Sequence, residues 1–210
     1  MEMKRLLLIS VISLGFGWST TAQRDLAFVN QQLEAFTQEL AVKGVTNWIS
    51  TTRFCDGRTE MFMMPDGSSC FSKGTYYAVY LFYPNGEGKM KMKKFDNCGS
   101  FFPFDYSEDK LLSGMLDNWE QLGSEVVKPY QTPVRNTKPE QRTAIFNCRR
   151  SIKLAKDDQR LTKRYNLFDL IGEGNLNYQH NNELYLIKME GQMDELIEMA
   201  GSNLNRLKQE

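Results

Sequence analysis

The sequence predicts an α+β fold, in which a mostly antiparallel sheet of about six strands packs against three helices. Apolar residues recur at three- and four-residue steps in three segments, which is the spacing of amphipathic helices. Between these segments, β-forming stretches follow one another in runs of four and two. The element order is therefore α-β-β-β-β-α-β-β-α. Because the strands come in runs, we expect helices to cover one face of the sheet.

The first half of the chain is expected to hold one helix and four strands. Residues 24–42 carry a single apolar stripe, and Gly44 favours a helix end directly after it. Residues 75–83 are β-forming and apolar on both faces, which predicts a central strand. In 89–95, lysines alternate with methionines, which favours a half-buried strand at a protected sheet edge. The other two strands are predicted over 48–54 and 59–64.

The second half is expected to begin with a helix over 107–127, with Asp105 and Glu108 as a capping box. Pro129, Pro133 and Pro139 predict an open connection over 128–141. The remaining elements are predicted as strands over 143–154 and 161–168, and a final helix over 182–207.

The first 22 residues have the pattern of a secretory signal peptide. Lys4 and Arg5 precede an apolar stretch, and small residues end at Ala22, where we expect cleavage. An uncleaved anchor is the alternative, but the apolar stretch is shorter than the roughly 18 residues that span a bilayer. The first cysteine is Cys55, which argues against a lipoprotein. We expect 23–210 to fold as one exported domain, in the periplasm or outside the cell.

The four cysteines are expected to form two disulfides, because their number is even and an exported chain meets oxidising conditions. Three pairings are open. We favour Cys55–Cys70 and Cys98–Cys148, since the first two flank a predicted hairpin. A metal site is not expected, because the chain has no C-x-x-C motif and a single histidine, His180.

The hairpin strands at 75–95 are followed by Lys94-Phe95-Asp96-Asn97-Cys98-Gly99. This segment resembles part of small exported Bacteroidota proteins of unknown function. The resemblance is confined to the region of the hairpin, and it implies no activity.

Charge is balanced overall but uneven along the chain. Lys+Arg and Asp+Glu are 26 each, which argues against a generally basic nucleic-acid binder. Residues 135–168 nevertheless carry a net charge of +7, between stretches of −4 (105–134) and −5 (169–210). This segment predicts a surface for a phosphate, an anionic glycan or a nucleic acid, although it has no nucleic-acid motif. The alternatives are neutralisation by the acidic helices and a merely solvated face. The candidate anion-binding residues are Arg149, Arg150, Lys153, Arg160, Lys163 and Arg164.

Two other side-chain groups are candidates for binding. Phe101, Phe102 and Phe104 lie in a predicted loop, where three phenylalanines suggest an exposed patch for a protein partner. Methionines in M-x-M spacing suit Cu(I), but those that alternate with lysines are better interpreted as core filler. The methionines concerned are Met61, Met63, Met64, Met90 and Met92.

Catalysis has little support in the sequence. His180 lies in a polar stretch typical of a surface or capping residue, and no nucleophile, phosphate-loop or dinucleotide motif is present. We therefore expect a non-catalytic exported domain that binds a protein partner or an anionic ligand without a cofactor. The alternative is a hydrolase that uses two carboxylates, which needs no histidine.

Overall fold

The computed structural model describes residues 25–207, apart from 88, 108, 109, 135–137, 146 and 173. The predicted signal peptide lies outside the described residues. No helix among those described is long and apolar enough to cross a membrane.

The described residues form five α-helices and eleven strands, which confirms the α+β class. The helices are α1 (Leu26–Val42), α2 (Lys110–Asp117), α3 (Trp119–Ser124), α4 (Tyr178–Glu183) and α5 (Tyr185–Ala200). The strands are β1 (Trp48–Cys55), β2 (Met61–Met63), β3 (Ser69–Phe71), β4 (Ala78–Pro84), β5 (Met90–Asp96), β6 (Gly99–Ser100), β7 (Phe104–Tyr106), β8 (Gln131–Thr132), β9 (Glu140–Gln141), β10 (Cys148–Lys156) and β11 (Gln159–Asn166).

Seven of the described strands form one sheet in which every pairing is antiparallel. Its order is β11-β10-β1-β4-β5-β6, and β7 also pairs with β5. The prediction that 75–83 contains a central strand is confirmed, since β4 has neighbours on both sides and is buried from Ala78 to Tyr83. The edge position expected for 89–95 is wrong, because β5 pairs with β4 on one side and with β6 and β7 on the other.

Helices cover both faces of the sheet, so the expectation of one covered face is wrong. On one side, called the α1 face, Val29 and Leu33 pack in a cluster with Leu81 and Phe95. On the other side, called the α5 face, side chains of α2, α3 and α5 form a larger cluster with Phe82 and other sheet residues. The physical reason is that β4 is apolar on both faces, and each face must be removed from water.

Two of the predicted helices differ in extent from those in the structure. The helix expected over 107–127 is divided between α2 and α3 at Asn118, whose side-chain amide donates to the carbonyl of Gly114 at 2.8 Å. The final helix ends at Ala200 rather than 207. Beyond it, the amide of Leu207 donates to the carbonyl of Ser100 at 2.9 Å, so the segment up to Leu207 lies beside β6 instead of continuing the helix.

Asp96, the last residue of β5, binds Arg206 of the C-terminal segment that follows α5. Its carboxylate is fully buried and accepts two hydrogen bonds from the Arg206 guanidinium, at 2.6 and 2.8 Å. It also accepts from the Tyr76 hydroxyl at 3.0 Å and from the Cys98 amide at 2.7 Å. The guanidinium lies 4.3 Å from the ring centroid of Phe101. A bidentate, charge-assisted pair of this kind compensates the burial of both charges.

The two disulfides are Cys55–Cys148 and Cys70–Cys98. The expectation of two disulfides is confirmed, but the favoured pairing of Cys55 with Cys70 and of Cys98 with Cys148 is wrong. Cys55 lies opposite Cys148 in the register of β1 and β10, which no local pattern reveals. Two disulfides are typical of an oxidising, exported environment.

We expect the two bridges to contribute unequally to stability. Cys55–Cys148 spans 93 residues of sequence separation and Cys70–Cys98 spans 28. When each bridge is replaced by a pair of serines, loop-closure entropy predicts that the free energy of unfolding falls by about 4.5 and about 3.5 kcal/mol, respectively. Denaturant unfolding of the two double variants would measure this difference. A larger loss for the Cys70→Ser/Cys98→Ser variant would contradict the prediction.

Candidate functional site

The alternation of side chains along β10 and β11 divides the candidate anion-binding residues between the two faces of the sheet. Arg150 lies opposite Tyr165, and Lys163 lies opposite Ile152, which is a core residue of the α5 face. Arg160 lies opposite Ala155, which belongs to the core of the α1 face. Because side chains alternate between the two faces along a strand, these positions determine the face on which each remaining cation lies. Arg149, Lys153 and Arg164 share the α1 face with Arg160.

Arg150, on the α5 face, is neutralised within the fold. Its Nε donates to the carboxylate of Glu190 at 3.2 Å, and Arg53 donates to the same oxygen at 2.8 Å. The hydroxyl of Thr51 adds a contact at 3.3 Å. Glu190 lies on α5 and is only 5% exposed. Burial raises the pKa of this carboxyl group, and the two guanidinium groups oppose the rise.

The side chain of Lys163 also has partners within the fold, which are backbone carbonyl groups. Its Nζ donates to the carbonyl oxygens of Gly123 at 2.7 Å and Glu125 at 2.8 Å, at the end of α3. Desolvation lowers the pKa of the Lys163 ammonium, opposed by the charge of Glu125. Arg150 and Lys163 therefore both have structural partners, but only Arg150 is neutralised by an acidic residue of a helix, as the neutralisation alternative expects.

Three of the four cations of the α1 face border a cavity of about 450 Å³ between the first turns of α1 and strands β1, β10 and β11, which Arg150 also lines. Arg149 is half-exposed and forms an ion pair with Asp56 at 2.9 Å. Lys153 and Arg164 also line this cavity. Neither of these two side chains makes a hydrogen bond or ion pair with any residue that the structure describes. The cavity therefore holds two cations that have no counter-charge among the described residues.

A second cavity, of about 290 Å³, adjoins the first at Lys153, which lines both. Its lining includes Arg160 and Trp48 on the sheet and Glu34 on α1. The Arg160 guanidinium lies 5.5 Å from the ring centroid of Trp48 and donates to the carbonyl of Asp157 at 2.7 Å. We call the two cavities together the basic groove.

The groove exists because a single helix covers the α1 face. An α-helix is about 10 Å wide and strands lie about 4.8 Å apart, so one helix covers two or three strands. Helix α1 packs over β4, β5 and β6. Strands β10 and β11 are at the opposite end of the sheet, where Arg160 and Arg164 stay exposed.

The predicted phenylalanine patch is not contiguous. Phe101 is 7% exposed and lies beneath the Arg206 guanidinium. Phe104 is half-buried in β7, opposite Met92. Phe102 is exposed. The loop predicted here is wrong, because β6 and β7 pair with β5 and bring two of the three rings against the sheet.

The methionines are also divided. Met90 and Met92 are buried in the core of the α5 face, which confirms their interpretation as filler. Met64 is buried in a small cluster with Cys70 and Cys98. Met61 and Met63 are exposed on β2. The five methionines whose spacing would suit Cu(I) are thus divided between the core and the surface and do not form one site.

No more than one carboxylate lines any of the five main cavities formed by the described residues. Of five cavities between 290 and 640 Å³, three contain one carboxylate each, namely Glu34, Asp105 and Glu195, and two contain none. His180 is exposed on α4. No group of three His, Cys, Asp or Glu side chains suited to a metal occurs among the described residues.

Comparison of the chain with protein-family models, with curated proteins and with solved structures finds no match. Functional inference therefore depends on the side chains that the fold brings together. The cations of the basic groove are predicted from the sequence, whereas α1 as its wall and Glu190 as the partner of Arg150 are not. The polar residues of α1, such as Asn30 and Glu34, are the signal that part of this helix borders solvent.

We expect Glu190→Gln to destabilise the protein by about 3 kcal/mol, because it leaves two guanidinium groups without their buried counter-charge. Asp194→Asn is the matched control, since Asp194 also pairs with Arg53 but its side chain is 54% exposed. An exposed pair is worth about 1 kcal/mol or less. Urea unfolding of both variants would measure the difference. Equal losses would show that Glu190 does not have this role.

Proposed function

We propose that this protein is an exported, non-catalytic domain that binds an anionic ligand in the basic groove. The observation that carries the proposal is the presence of Lys153 and Arg164 in one cavity with no partner among the described residues. Cations gathered in a concave site focus a positive potential, which raises the local concentration of anions. The cations of the opposite face support the same conclusion by contrast, because Arg150 and Lys163 are occupied by protein groups.

The side chains of the groove suit recognition of anionic oxygens. Arginine offers a planar fork of donors that matches a carboxylate, sulfate or phosphate, and lysine offers a compact ammonium. Between them lie the neutral polar side chains of Asn30, Thr52 and Ser151, which line the same cavity. An anion entering this cavity would gain charge-assisted hydrogen bonds without breaking an ion pair of Lys153 or Arg164.

Binding without catalysis is favoured by the composition of the lining. Two-carboxylate hydrolysis needs two carboxyl groups about 5–10 Å apart across the substrate. Among the residues that line the basic groove, Glu34 is the one carboxylate. The groove therefore offers charge and hydrogen bonds but lacks that pair.

Replacing both unpartnered cations, as Lys153→Gln/Arg164→Gln, should weaken retention on a phosphate-bearing resin at low salt. Hydrogen bonds to charged groups are worth about 1.5–3 kcal/mol, so loss of the contacts should lower affinity at least tenfold. Wild-type retention should fall as salt rises, because ions screen the attraction.

The control is Lys73→Gln/Lys188→Gln, which removes the same charge from two exposed positions that do not line the groove. This variant should elute with the wild type. Anion binding in the groove would be refuted if the Lys153/Arg164 variant were also retained like the wild type.

A further inference from the structure

We infer that the ligand of the basic groove is an extended acidic glycan that lies along β10 and β11. The inference rests on the proposed function and specifies the shape and chemical class of the anion. It depends on the spacing of the cations, on their arrangement across two strands, and on the groups between them.

The cations of the α1 face form a regular ladder. In the antiparallel register Ser151 lies opposite Arg164, and Ala155 lies opposite Arg160. Successive cations along the ribbon are therefore Arg149 on β10, Arg164 on β11, Lys153 on β10 and Arg160 on β11. Each step is two residues, or about 7 Å along the strands, and the whole ladder is about 20 Å long.

This length favours an extended ligand. A single phosphate or carboxylate can contact neighbouring members of the ladder, such as Arg164 and Lys153, but it cannot reach from Arg149 to Arg160. A linear chain with an acidic group on successive units can pair with several cations at once. Contacts on one chain add up because the first contact raises the effective concentration of the next group.

Between the cations, the groove offers hydroxyl and amide groups, which suit a sugar chain. Thr52 and Ser151 line the first cavity, and Thr37 and Gln38 line the second. Such groups can donate to and accept from sugar hydroxyls. Thr162, exposed on β11 opposite Lys153, lies within the ladder.

A single-stranded nucleic acid is a less suitable occupant, because its binding relies on exposed aromatic rings on which bases stack. The groove contains Trp48 and Phe54. Trp48 is 7% exposed and has the Arg160 guanidinium beside its ring. Phe54 packs against Tyr77, with ring centroids 5.0 Å apart. The groove therefore offers one partly buried ring, Phe54, rather than the row of exposed rings on which successive bases stack.

The test is a calorimetric comparison of ligand lengths, using inorganic phosphate, a monomeric uronate, a long oligouronate and a sulfated glycan of similar length. An oligothymidylate serves as the nucleic-acid probe. For the wild type, a long acidic glycan should bind at least tenfold more tightly than either small anion. Arg160→Gln should weaken that binding severalfold, because an exposed cation contact is lost, and leave the small anions unaffected.

Lys188→Gln removes one exposed cation outside the groove and is the matched control for Arg160→Gln. The inference is overturned, while the proposed function stands, if small anions bind as tightly as the long glycans and Arg160→Gln changes neither. Tighter binding of the oligothymidylate than of both glycans also overturns it. If none of the probes shows salt-dependent binding that Lys153→Gln/Arg164→Gln abolishes, the proposed function fails as well.

Discussion

Glu190 is the buried carboxylate on which the packing of α5 against the sheet depends. It accepts hydrogen bonds from Arg53 on β1 and Arg150 on β10, so one helix residue joins two neighbouring strands. Burying guanidinium groups without such a partner would cost several kcal/mol. Because α5 supplies the partner, β10 can carry cations on its covered face as well as on its open one. The cations of the opposite face are then available for the proposed binding of an anion.

Unequal cover of the two faces creates the candidate site. The α5 face is closed by α2, α3 and α5, whereas α1 alone packs on the other face and lies over β4, β5 and β6. The same alternation that directs Arg150 towards Glu190 directs Lys153 and Arg164 into the basic groove. Fold and proposed function are thus consequences of one geometric rule, the period of two in a β-strand.

One disulfide lies beside the basic groove, whereas the other disulfide and a buried ion pair lie towards the opposite end of the sheet. Cys55–Cys148 links β1 to β10, so it fixes the register of the strands that form the groove floor. At the other end of the sheet, Cys70–Cys98 attaches the β2–β3 hairpin, and the Asp96–Arg206 pair holds the C-terminal segment.

The sequence by itself determined the elements whose signal is local: the fold class, the stripe of α1, the central β4, and the inward-facing Met90 and Met92. It also predicted the cations of the groove, since their alternation is a local pattern. Tertiary structure alone decided the disulfide pairing, the burial of Phe101 and the division of cations between paired and unpaired. These outcomes depend on contacts between distant parts of the chain, such as Arg150 with Glu190 and Asp96 with Arg206. Local periodicity carries no information about which distant segment supplies a partner or leaves a face uncovered.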